Sequence, residues 1–319
     1  MAQSIPRLQA ESCRSPPVGI REVAALTPDI APPAARPRRP RSKPPAGACD
    51  CHSHIFGPNA RFLYAPERSY TPHEMPLETY LGMLDAIGIE RGILVQGSAY
   101  GTDNSALLDA LCKVPERLRG VAVVDEANSA GELKRMADAG VRGLRFNHLF
   151  RNGKLAFKGG AGIDRFAQLE RTMADLGWHA QLWIDCKDLP ELWPRIHNSP
   201  VPIVIDHMGR VDATLGSAYA GFEFMRRLLA EGKIWVKLSA PYRASNSPPH
   251  YPEVRPLHQA LLSANPEQCL WGLNWPHVSW TEAMPNDGAL LDLFEDWTPQ
   301  ANIRRQVLVD NPAKLFGFN

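Results

Sequence analysis

The chain has 319 residues, a formal net charge of +1, 44% hydrophobic residues and 22% charged residues. A chain of this length can bury a large core without staples, and its near-neutral charge gives no overall field for nucleic acid or an anionic membrane. No run reaches the roughly 20 apolar residues of a membrane span, and the N-terminus lacks the apolar stretch of a secretory signal. We therefore expect a cytoplasmic protein without nucleic-acid or membrane partners, and the oligomeric state stays open.

Residues 1–46 differ in composition from the rest of the chain, because they are rich in Pro and Arg. Proline removes backbone N–H donors, and the segment has few apolar side chains to bury, so we expect a flexible tail. A basic interaction arm and a start codon assigned too early are the alternatives.

Six cysteines occur in the chain, at Cys13, Cys49, Cys51, Cys112, Cys186 and Cys269. Their spacing matches neither a compact disulfide framework nor paired CxxC motifs. Cys49 and Cys51 followed by His54 suggest a soft metal site, but buried thiols along a strand are the simpler interpretation.

After residue 46, short apolar runs alternate with segments of helical length and period. The runs are rich in Val, Ile and Leu, as in strands covered on both faces, and they span 48–55, 92–98, 120–124, 141–147, 179–184, 202–206, 234–239 and 269–274. The predicted helices span 77–87, 106–111, 132–139, 166–176, 189–196, 222–229, 256–262, 290–294 and 303–309. This alternation predicts an α/β fold, a single (β/α)8 TIM barrel over residues 47–319. An open doubly wound sheet is the alternative, but the Gly-rich phosphate turn of that fold does not follow the first strand.

Polar side chains recur where the predicted strands end. They include His52, His54, Gln96, Ser98, Arg145, Asn147, Asp185, His207, Arg210, Lys237, Ser239, Arg243, Asn274 and His277. In a TIM barrel the carboxyl ends of all strands meet at one face, where the active sites of this fold lie. One histidine beside a strand is more often a packed core residue than a ligand, so it is the coincidence of many on one rim that predicts an active site.

His52 and His54 are separated by two, so both rings lie on the same face of a strand. That arrangement suits a metal ion or two donors aimed at one oxygen atom. Zinc takes three or four N, O or S ligands; His207 is a possible third, but the amide oxygen of Asn274 is a poor fourth. We predict a site without a cofactor, with a divalent metal such as Zn at the three histidines as the alternative.

Arginines form a second group around the predicted rim. Arg145 lies inside an apolar strand run, and Arg151, Arg210 and Arg243 follow the fourth, sixth and seventh strands. Guanidinium groups pair bidentately with carboxylates. A single arginine is more often part of a surface ion pair, but the group predicts a small anionic substrate with more than one carboxylate.

Three motifs stand out: Asp50-Cys51-His52-Ser53-His54 early, Trp271-Gly272-x-x-Trp275-Pro276-His277 late, and Asp310-Asn311-Pro312 at the end. Supporting stretches are 56–58, 64–68, 70–72, 101–104, 141–147, 188–193 and 206–210. Together they resemble the amidohydrolase superfamily, and within it the branch that contains 2-pyrone-4,6-dicarboxylate lactonase and galactarolactone isomerase. The resemblance extends from about residue 48 to the C-terminus.

The resemblance implies an enzyme that acts on a lactone without a divalent metal. By position, it implies that His52, His54 and His207 surround the lactone carbonyl oxygen. It further implies that substrate carboxylates and hydroxyls are held by Tyr70, Ser98, Arg145, Arg151, Arg210 and Arg243. Trp183 stands where the pyrone enzyme has a tyrosine, so the surface that recognises the ring differs, and His277 completes the predicted binding set.

Asn274 is the departure that bears most on the reaction. The lactonase of this branch has an aspartate there, which takes a proton from water, and an amide cannot accept that proton. General-base help is worth about 10²–10⁴ in rate, whereas attack by a substrate hydroxyl has effective molarities of about 10⁵–10⁸ M. We therefore predict isomerisation of a sugar-acid lactone, with His52, His54, His207 and Asn274 as catalytic residues. The alternatives are hydrolysis, with His277 or another group as base, and a non-catalytic dicarboxylate binder.

Overall fold

The computed structural model describes residues 28–125, 128–151, 154–155 and 161–318, without the side chains of Arg151 and Leu155. Within these residues the main sheet contains eight parallel strands that pair in chain order. They are β1 (Cys49–Ser53), β2 (Arg91–Val95), β3 (Leu118–Ala122), β4 (Val141–His148), β5 (His179–Ile184), β6 (Ile203–Ile205), β7 (Trp235–Ser239) and β8 (Cys269–Gly272). All eight apolar runs that the sequence analysis assigned to strands are strands, with ends that differ by a few residues.

The barrel closes between its first strand and the residues after its last strand. The amide of Asn274 donates to the carbonyl of His52 at 2.7 Å, and the amide of His54 donates to the carbonyl of Trp275 at 2.8 Å. Gly272 permits this approach, because a Cβ atom there would lie 2.8 Å from the backbone nitrogen of His52. The prediction of a (β/α)8 barrel is therefore confirmed, and the doubly wound alternative is wrong. Closure also places Asn274 directly beside the β1 histidines.

A helix follows each barrel strand. These helices are α1 (Leu77–Ile87), α2 (Ser105–Lys113), α3 (Ala130–Ala139), α4 (Phe166–Asp175), α5 (Leu189–Ile196), α6 (Ala220–Ala230), α7 (Val254–Ala264) and α8 (Asp287–Trp297). The sequence sets their ends locally. For example, Ser129 and Glu132 form a capping box at the start of α3, and Gly88 ends α1 with a left-handed φ of 80°.

The chain ends in α9 (Ala301–Arg305), a π-helical turn over Gln306–Asp310 and α10 (Asn311–Phe316). The sequence analysis predicted one helix over 303–309 in this region. It did not predict the short strands Phe150–Arg151, Lys154–Leu155 and Ala161–Gly162 that follow β4. Strands of two residues carry too few side chains to produce a detectable alternation.

The hydrophobic core has two layers. The larger one lies between the strands and the helices, and a smaller one fills the barrel interior with residues that include Cys49, Cys51, Ile93, Val121 and Leu270. Phe316 of α10 packs into the inner layer. Cys49 and Cys51 are free and buried in β1, so their interpretation as buried thiols along a strand is confirmed, and Cys186 and Cys269 are free and buried as well. None of the helices in the described residues has both the length and the apolar character needed to cross a membrane.

Residues 28–46, which the sequence analysis placed in a flexible tail, contact the outside of the barrel. The amide of Arg41 donates to Asp292 in α8 at 2.7 Å, and Asp29 exchanges two hydrogen bonds with Thr71. Extended, proline-rich chain has no internal hydrogen bonds of its own, so composition alone did not reveal these partners. For residues 1–27, which lie outside the described residues, the flexible tail remains a prediction.

Candidate active site

The histidines expected at the strand ends come together at the mouth of the barrel. The rings of His52 and His54 are 5.1 Å apart between centroids, and those of His52 and His207 are 4.4 Å apart. All three side chains are buried. The backbone of His207 has a left-handed φ of 51°, a sparsely populated conformation for a residue with a side chain. Such conformations concentrate at functional sites, where the surrounding structure enforces them.

Burial keeps these imidazoles neutral. It lowers the pKa of His52 and of His207 well below the usual value, and it lowers the pKa of His54 to about 3. The Nδ1 atom of His54 lies 2.8 Å from the carbonyl oxygen of Val95, which can only accept, so Nδ1 carries the proton. The Nε2 atom of neutral His54 is therefore an acceptor, which does not suit the expected donation to a carbonyl oxygen.

His52 and His207 can still act as donors. Nδ1 of His207 lies 2.8 Å from the hydroxyl of Ser239, which can donate or accept. Nδ1 of His52 lies 3.3 Å from the ammonium group of Lys237 and 3.2 Å from Asp206. When Lys237 donates, Nε2 of His52 carries the proton. That Nε2 atom is buried and has no hydrogen-bond partner among the described residues, so it lacks the partner that a buried polar atom requires.

Asp206 is the centre of a charged cluster, which we define as Asp206, His52, Arg145, Gln181 and Lys237. Its carboxylate lies 3.3 Å from Nε of Arg145 and 3.6 Å from Nζ of Lys237, and it accepts from the amide of Gln181 at 3.1 Å. Lys237 also donates to the Gln181 carbonyl at 2.6 Å. Burial alone would raise the pKa of Asp206, but Lys237 and Arg145 outweigh it and hold that pKa below its usual value. Asp206 is therefore a poor base.

The sequence pattern did not indicate a site role for Asp206, Gln181 or Lys237. Lys237 was recognisable only as a polar residue at a strand end, and Asp206 only as the start of the stretch 206–210. The available signal was a polar side chain inside an apolar strand run, as for Gln181 in β5 and Lys237 in β7. The same signal identified Arg145 in β4.

The charged cluster is a poor match for a divalent metal. One ligand atom each from His52, Asp206 and His207 lie within 4.8 Å of one another, a separation that suits a metal ion. However, the single carboxylate already faces the cations of Lys237 and Arg145. A divalent ion would add two positive charges beside these cations, and the repulsion would be strong because a buried site is poorly screened. An anion fits this charge balance better than a cation does.

Two of the predicted arginines lie against the ring of Trp183 on the same rim. The guanidinium of Arg145 lies 4.6 Å from the ring centroid of Trp183, and that of Arg210 lies 6.0 Å from it. Arg210 also donates to Asp185 at 2.9 Å, and Arg243 donates to the carbonyl of Val278. These contacts orient the planar guanidinium groups at the barrel mouth.

Tyr70 and Ser98, which were predicted to bind substrate, lie near these arginines. Ser98 donates to the hydroxyl of Tyr70 at 3.3 Å. Burial raises the pKa of Tyr70, against the opposing effect of Ser98 and of the positive charges of Arg145 and Arg243. The side chain of Arg151 lies outside the described part of the structure.

Asn274 begins a buried hydrogen-bond relay, which we define as Asn274, Tyr242, His277 and Asp287. Nδ2 of Asn274 lies 2.7 Å from the hydroxyl of Tyr242, which lies 3.0 Å from Nδ1 of His277. Nε2 of His277 lies 3.1 Å from the Asp287 carboxylate. A carboxylate only accepts, so Nε2 of His277 carries a proton. When Nδ1 accepts from Tyr242, the Tyr242 oxygen accepts from position 274, which requires a donor there.

The relay gives a physical reason for an amide at position 274. Asn274 has a left-handed φ of 64°, which both Asn and Asp adopt more readily than other residues. The backbone therefore does not choose between them, whereas the direction of the hydrogen bonds does. An amide can donate to Tyr242 and a carboxylate cannot. The mouth thus combines neutral imidazoles, paired cations and a fixed amide.

Comparison with known proteins agrees with this geometry. Residues 49–318 match the amidohydrolase family. The chain is 37% identical over 291 residues to a 2-pyrone-4,6-dicarboxylate hydrolase of Comamonas testosteroni, with 88% of this chain and 94% of the relative covered. It is 37% identical over 293 residues to a 4-sulfomuconolactone hydrolase of Rhizobium radiobacter, with coverage of 90% and 96%.

A D-galactarolactone isomerase of Agrobacterium fabrum is 26% identical over 276 residues, with 85% of this chain and 91% of the relative covered. Among solved structures, a protein of Agrobacterium tumefaciens in its apo form superimposes with a TM-score of 0.78 at 25% identity, covering 88% of this chain and 99% of that one. The family match covers most of the chain and includes every strand of the barrel. The chain is therefore an enzyme of the amidohydrolase family.

Proposed function

We propose that this protein acts on a carboxylated lactone, and that it shifts the ring by intramolecular acyl transfer rather than opening it with water. The observation that carries the choice of reaction is Asn274, an amide bound to Tyr242 at 2.7 Å where a water-activating carboxylate would be needed. The names of the relatives, which are lactone hydrolases and a lactone isomerase, support the substrate class.

Two imidazoles are placed to stabilise the oxyanion. Attack on a lactone carbonyl puts negative charge on its oxygen, and Nε2 of His52 is a buried atom without a partner in the described part of the chain. The ring of His207 lies against the ring of His52, with centroids 4.4 Å apart. Removal of one oxyanion donor typically costs about 10²–10³ in rate. We assign that role to His52 and His207.

The arginine group explains the preference for an anionic ring. Arg145 carries a positive charge beside Asp206 and lies over Trp183, so a carboxylate and a flat or puckered ring can be held together. Arg243 and Arg210 add charge on the same rim, and Arg210 is already paired with Asp185. We therefore place the substrate carboxylate nearest to Arg145 and Arg243.

Isomerisation balances its protons without a strong base. The substrate hydroxyl loses a proton as its oxygen bonds to the carbonyl carbon, and the ring oxygen gains one as its own bond to that carbon breaks. A neutral imidazole can accept the proton and return it, and Nε2 of neutral His54 is an acceptor because its Nδ1 carries the proton. The pKa values of His52, His54, His207 and Asp206 all lie below their usual values, so none of these four groups is a strong base for either reaction. A substrate hydroxyl gains over water through its effective molarity.

Hydrolysis is the second candidate, and a specific observation favours it. The two relatives at 37% identity are both named hydrolases, whereas the isomerase is 26% identical. Under hydrolysis, the lone pair on His54 would take the proton from water. Its pKa of about 3 makes it a weak base for a substrate hydroxyl and for water alike, so without a carboxylate at 274 the favoured reaction is the one whose nucleophile has the higher effective molarity.

An NMR time course with galactaro-1,5-lactone and with 2-pyrone-4,6-dicarboxylate separates the two reactions. We expect wild type to convert the sugar-acid lactone into its ring-shifted isomer with little open-chain acid. Asn274→Asp should gain hydrolysis by about 10²–10⁴ because it supplies a base. Asn302→Asp, at an exposed position, adds the same charge away from the site and should leave the products unchanged.

Open-chain acid as the main wild-type product would overturn isomerisation in favour of hydrolysis. Binding of both lactones without conversion would instead indicate a non-catalytic binder. The same samples test the metal. We expect metal analysis to find no stoichiometric divalent ion and a chelator to leave the rate unchanged, because the charged cluster favours an anion.

A further inference from the structure

The described part of the N-terminal segment, residues 28–46, runs along the seam between α1 and α8, and we call it the strap. The Asn286 side chain donates to the carbonyl of Arg36 at 3.1 Å and accepts from the amide of Arg38 at 2.8 Å. Near its other end, Pro44 lies 3.2 Å from the position of a Cβ atom on Gly88, which ends α1. The strap therefore joins the first and last helices of the barrel.

Helix α8 is shaped to receive the strap. A Cβ atom on Gly288 would lie 1.7 Å from the carbonyl oxygen of Arg38, so only glycine permits this approach. Four residues further along the same face, the buried carboxylate of Asp292 accepts from the Arg41 amide at 2.7 Å and pairs with the side chains of Arg38 and Arg41. Asp292 thus has cations from the strap as its partners, and a buried carboxylate needs such partners.

At its N-terminal end the strap holds the loop that carries Tyr70. The Asp29 amide donates to the carbonyl of Thr71 at 3.0 Å, and the Thr71 amide donates to the Asp29 carboxylate at 2.6 Å. His73 Nε2 lies 2.9 Å from the carbonyl of Ile30. Both backbone groups of the residue that follows Tyr70 are therefore fixed by one strap residue.

The same end of the strap also packs on the aromatic group around Tyr70. Ile30 packs against a cluster that contains Phe56, Tyr64, Tyr70 and Tyr100. The Tyr70 ring meets Phe56 edge-on at 6.3 Å between centroids, and its hydroxyl accepts from Ser98. The strap therefore fixes the backbone next to Tyr70, and Ser98 binds the Tyr70 hydroxyl.

We propose that the strap is a positioning element for substrate binding, in which Asp29 and Ile30 hold the Tyr70 loop in its binding conformation. This role rests on the proposed function, in which Tyr70 contacts the substrate. It assigns a purpose to residues that precede the part of the chain matched by the family, which begins at residue 49. Loss of the clamp should weaken binding more than it slows the chemical step.

The test compares Asp29→Ala with Asp29→Asn in the full-length chain. Alanine removes the acceptor for the Thr71 amide, and we expect KM to rise about fivefold with little change in kcat, as for one hydrogen bond. Asparagine keeps the oxygen that accepts, so it should restore KM. The control is Asp212→Ala, which removes an equivalent bond to the Thr214 amide at 3.0 Å and should leave KM unchanged.

Hydrogen–deuterium exchange separates failure of the clamp from failure of the proposed function. Asp29→Ala should accelerate exchange of the Thr71 amide, which donates to the Asp29 carboxylate, whether or not a substrate has been identified. Unchanged exchange would overturn the clamp. Faster exchange with unchanged KM would overturn its role in binding. If neither lactone reacts with wild type, the proposed function fails, and the exchange result still decides whether the strap holds the loop.

Discussion

Two sets of buried polar groups lie at the barrel mouth, one held by charge and the other by a directed series of hydrogen bonds. The charged cluster surrounds Asp206 with Lys237 and Arg145. The relay passes from Asn274 through Tyr242 and His277 to Asp287. Both sets are almost fully buried, so in each case an unpaired member would be costly.

Because of this difference, we expect the charged cluster and the relay to have separate roles. A cluster with more cations than carboxylates stabilises negative charge wherever it develops, which suits an oxyanion and an anionic substrate. The relay adds no charge next to the substrate, but it fixes the direction of one amide. We therefore expect the charged cluster to activate the carbonyl and the relay to control what attacks it.

The largest expected loss of activity comes from removing one of the oxyanion-binding imidazoles. His207→Ala should lower kcat by about 10²–10³, because one oxyanion donor is lost. Steady-state kinetics on the converted lactone measures this change, and circular dichroism checks the fold. His250→Ala removes an exposed imidazole and should keep full activity. Equal losses in both variants would contradict the oxyanion assignment.

A smaller effect is expected from cutting the relay. Tyr242→Phe leaves the amide of Asn274 and Nδ1 of His277 without a partner, and stability should fall by about 1–3 kcal/mol. Because the amide is then free to rotate, we expect the ratio of ring-shifted to hydrolysed product to fall as well. Product NMR and denaturant unfolding measure the two effects.

Tyr100→Phe is the matched control for that experiment. It removes a buried hydroxyl that accepts from the Gly57 amide at 2.6 Å, away from Asn274. It should lose stability while the product ratio stays as in wild type. A product ratio that moves equally in both variants would show that general destabilisation, and not the relay, controls the outcome.

The smallest effect expected is that of pH on activity. The pKa of His54 is about 3, and those of His52 and His207 are also lowered by burial. These rings stay neutral well below pH 6, so kcat/KM should be flat between about pH 5.5 and about pH 8. An inflection near pH 6.5 would place a group with an ordinary histidine pKa in the mechanism.

Stability should respond to pH where activity does not. Buried His258, whose Nε2 lies 2.9 Å from the hydroxyl of Thr298, also has a pKa of about 3. Its folded pKa lies below its unfolded value, so it takes up a proton on unfolding and stability falls as the pH drops below about 6.5. His258→Gln should reduce this slope by up to about 1.4 kcal/mol per pH unit. Urea unfolding at several pH values measures it.

Much of the architecture was predictable because it depends on local periodicity. The run 179–184 and the helix 77–87 have the bounds that the structure gives them. The strand ends also predicted which residues meet, since parallel strands bring their carboxyl ends to one face. The two-residue strands after β4 were missed because they lack a period, and the strap was missed because its partners lie about 250 positions away in α8.

The sequence by itself determined the barrel, the histidine pair of β1, the arginines of the rim and the amide at position 274, because residue type and spacing fix these features. Only the tertiary structure decided which atoms face one another. Asp206 became the centre of a charged cluster through contacts with side chains from four other strands. Asn274 acquired its direction from Tyr242, His277 and Asp287. Hydrogen-bond direction depends on the three-dimensional placement of donors and acceptors, and no sequence spacing encodes it.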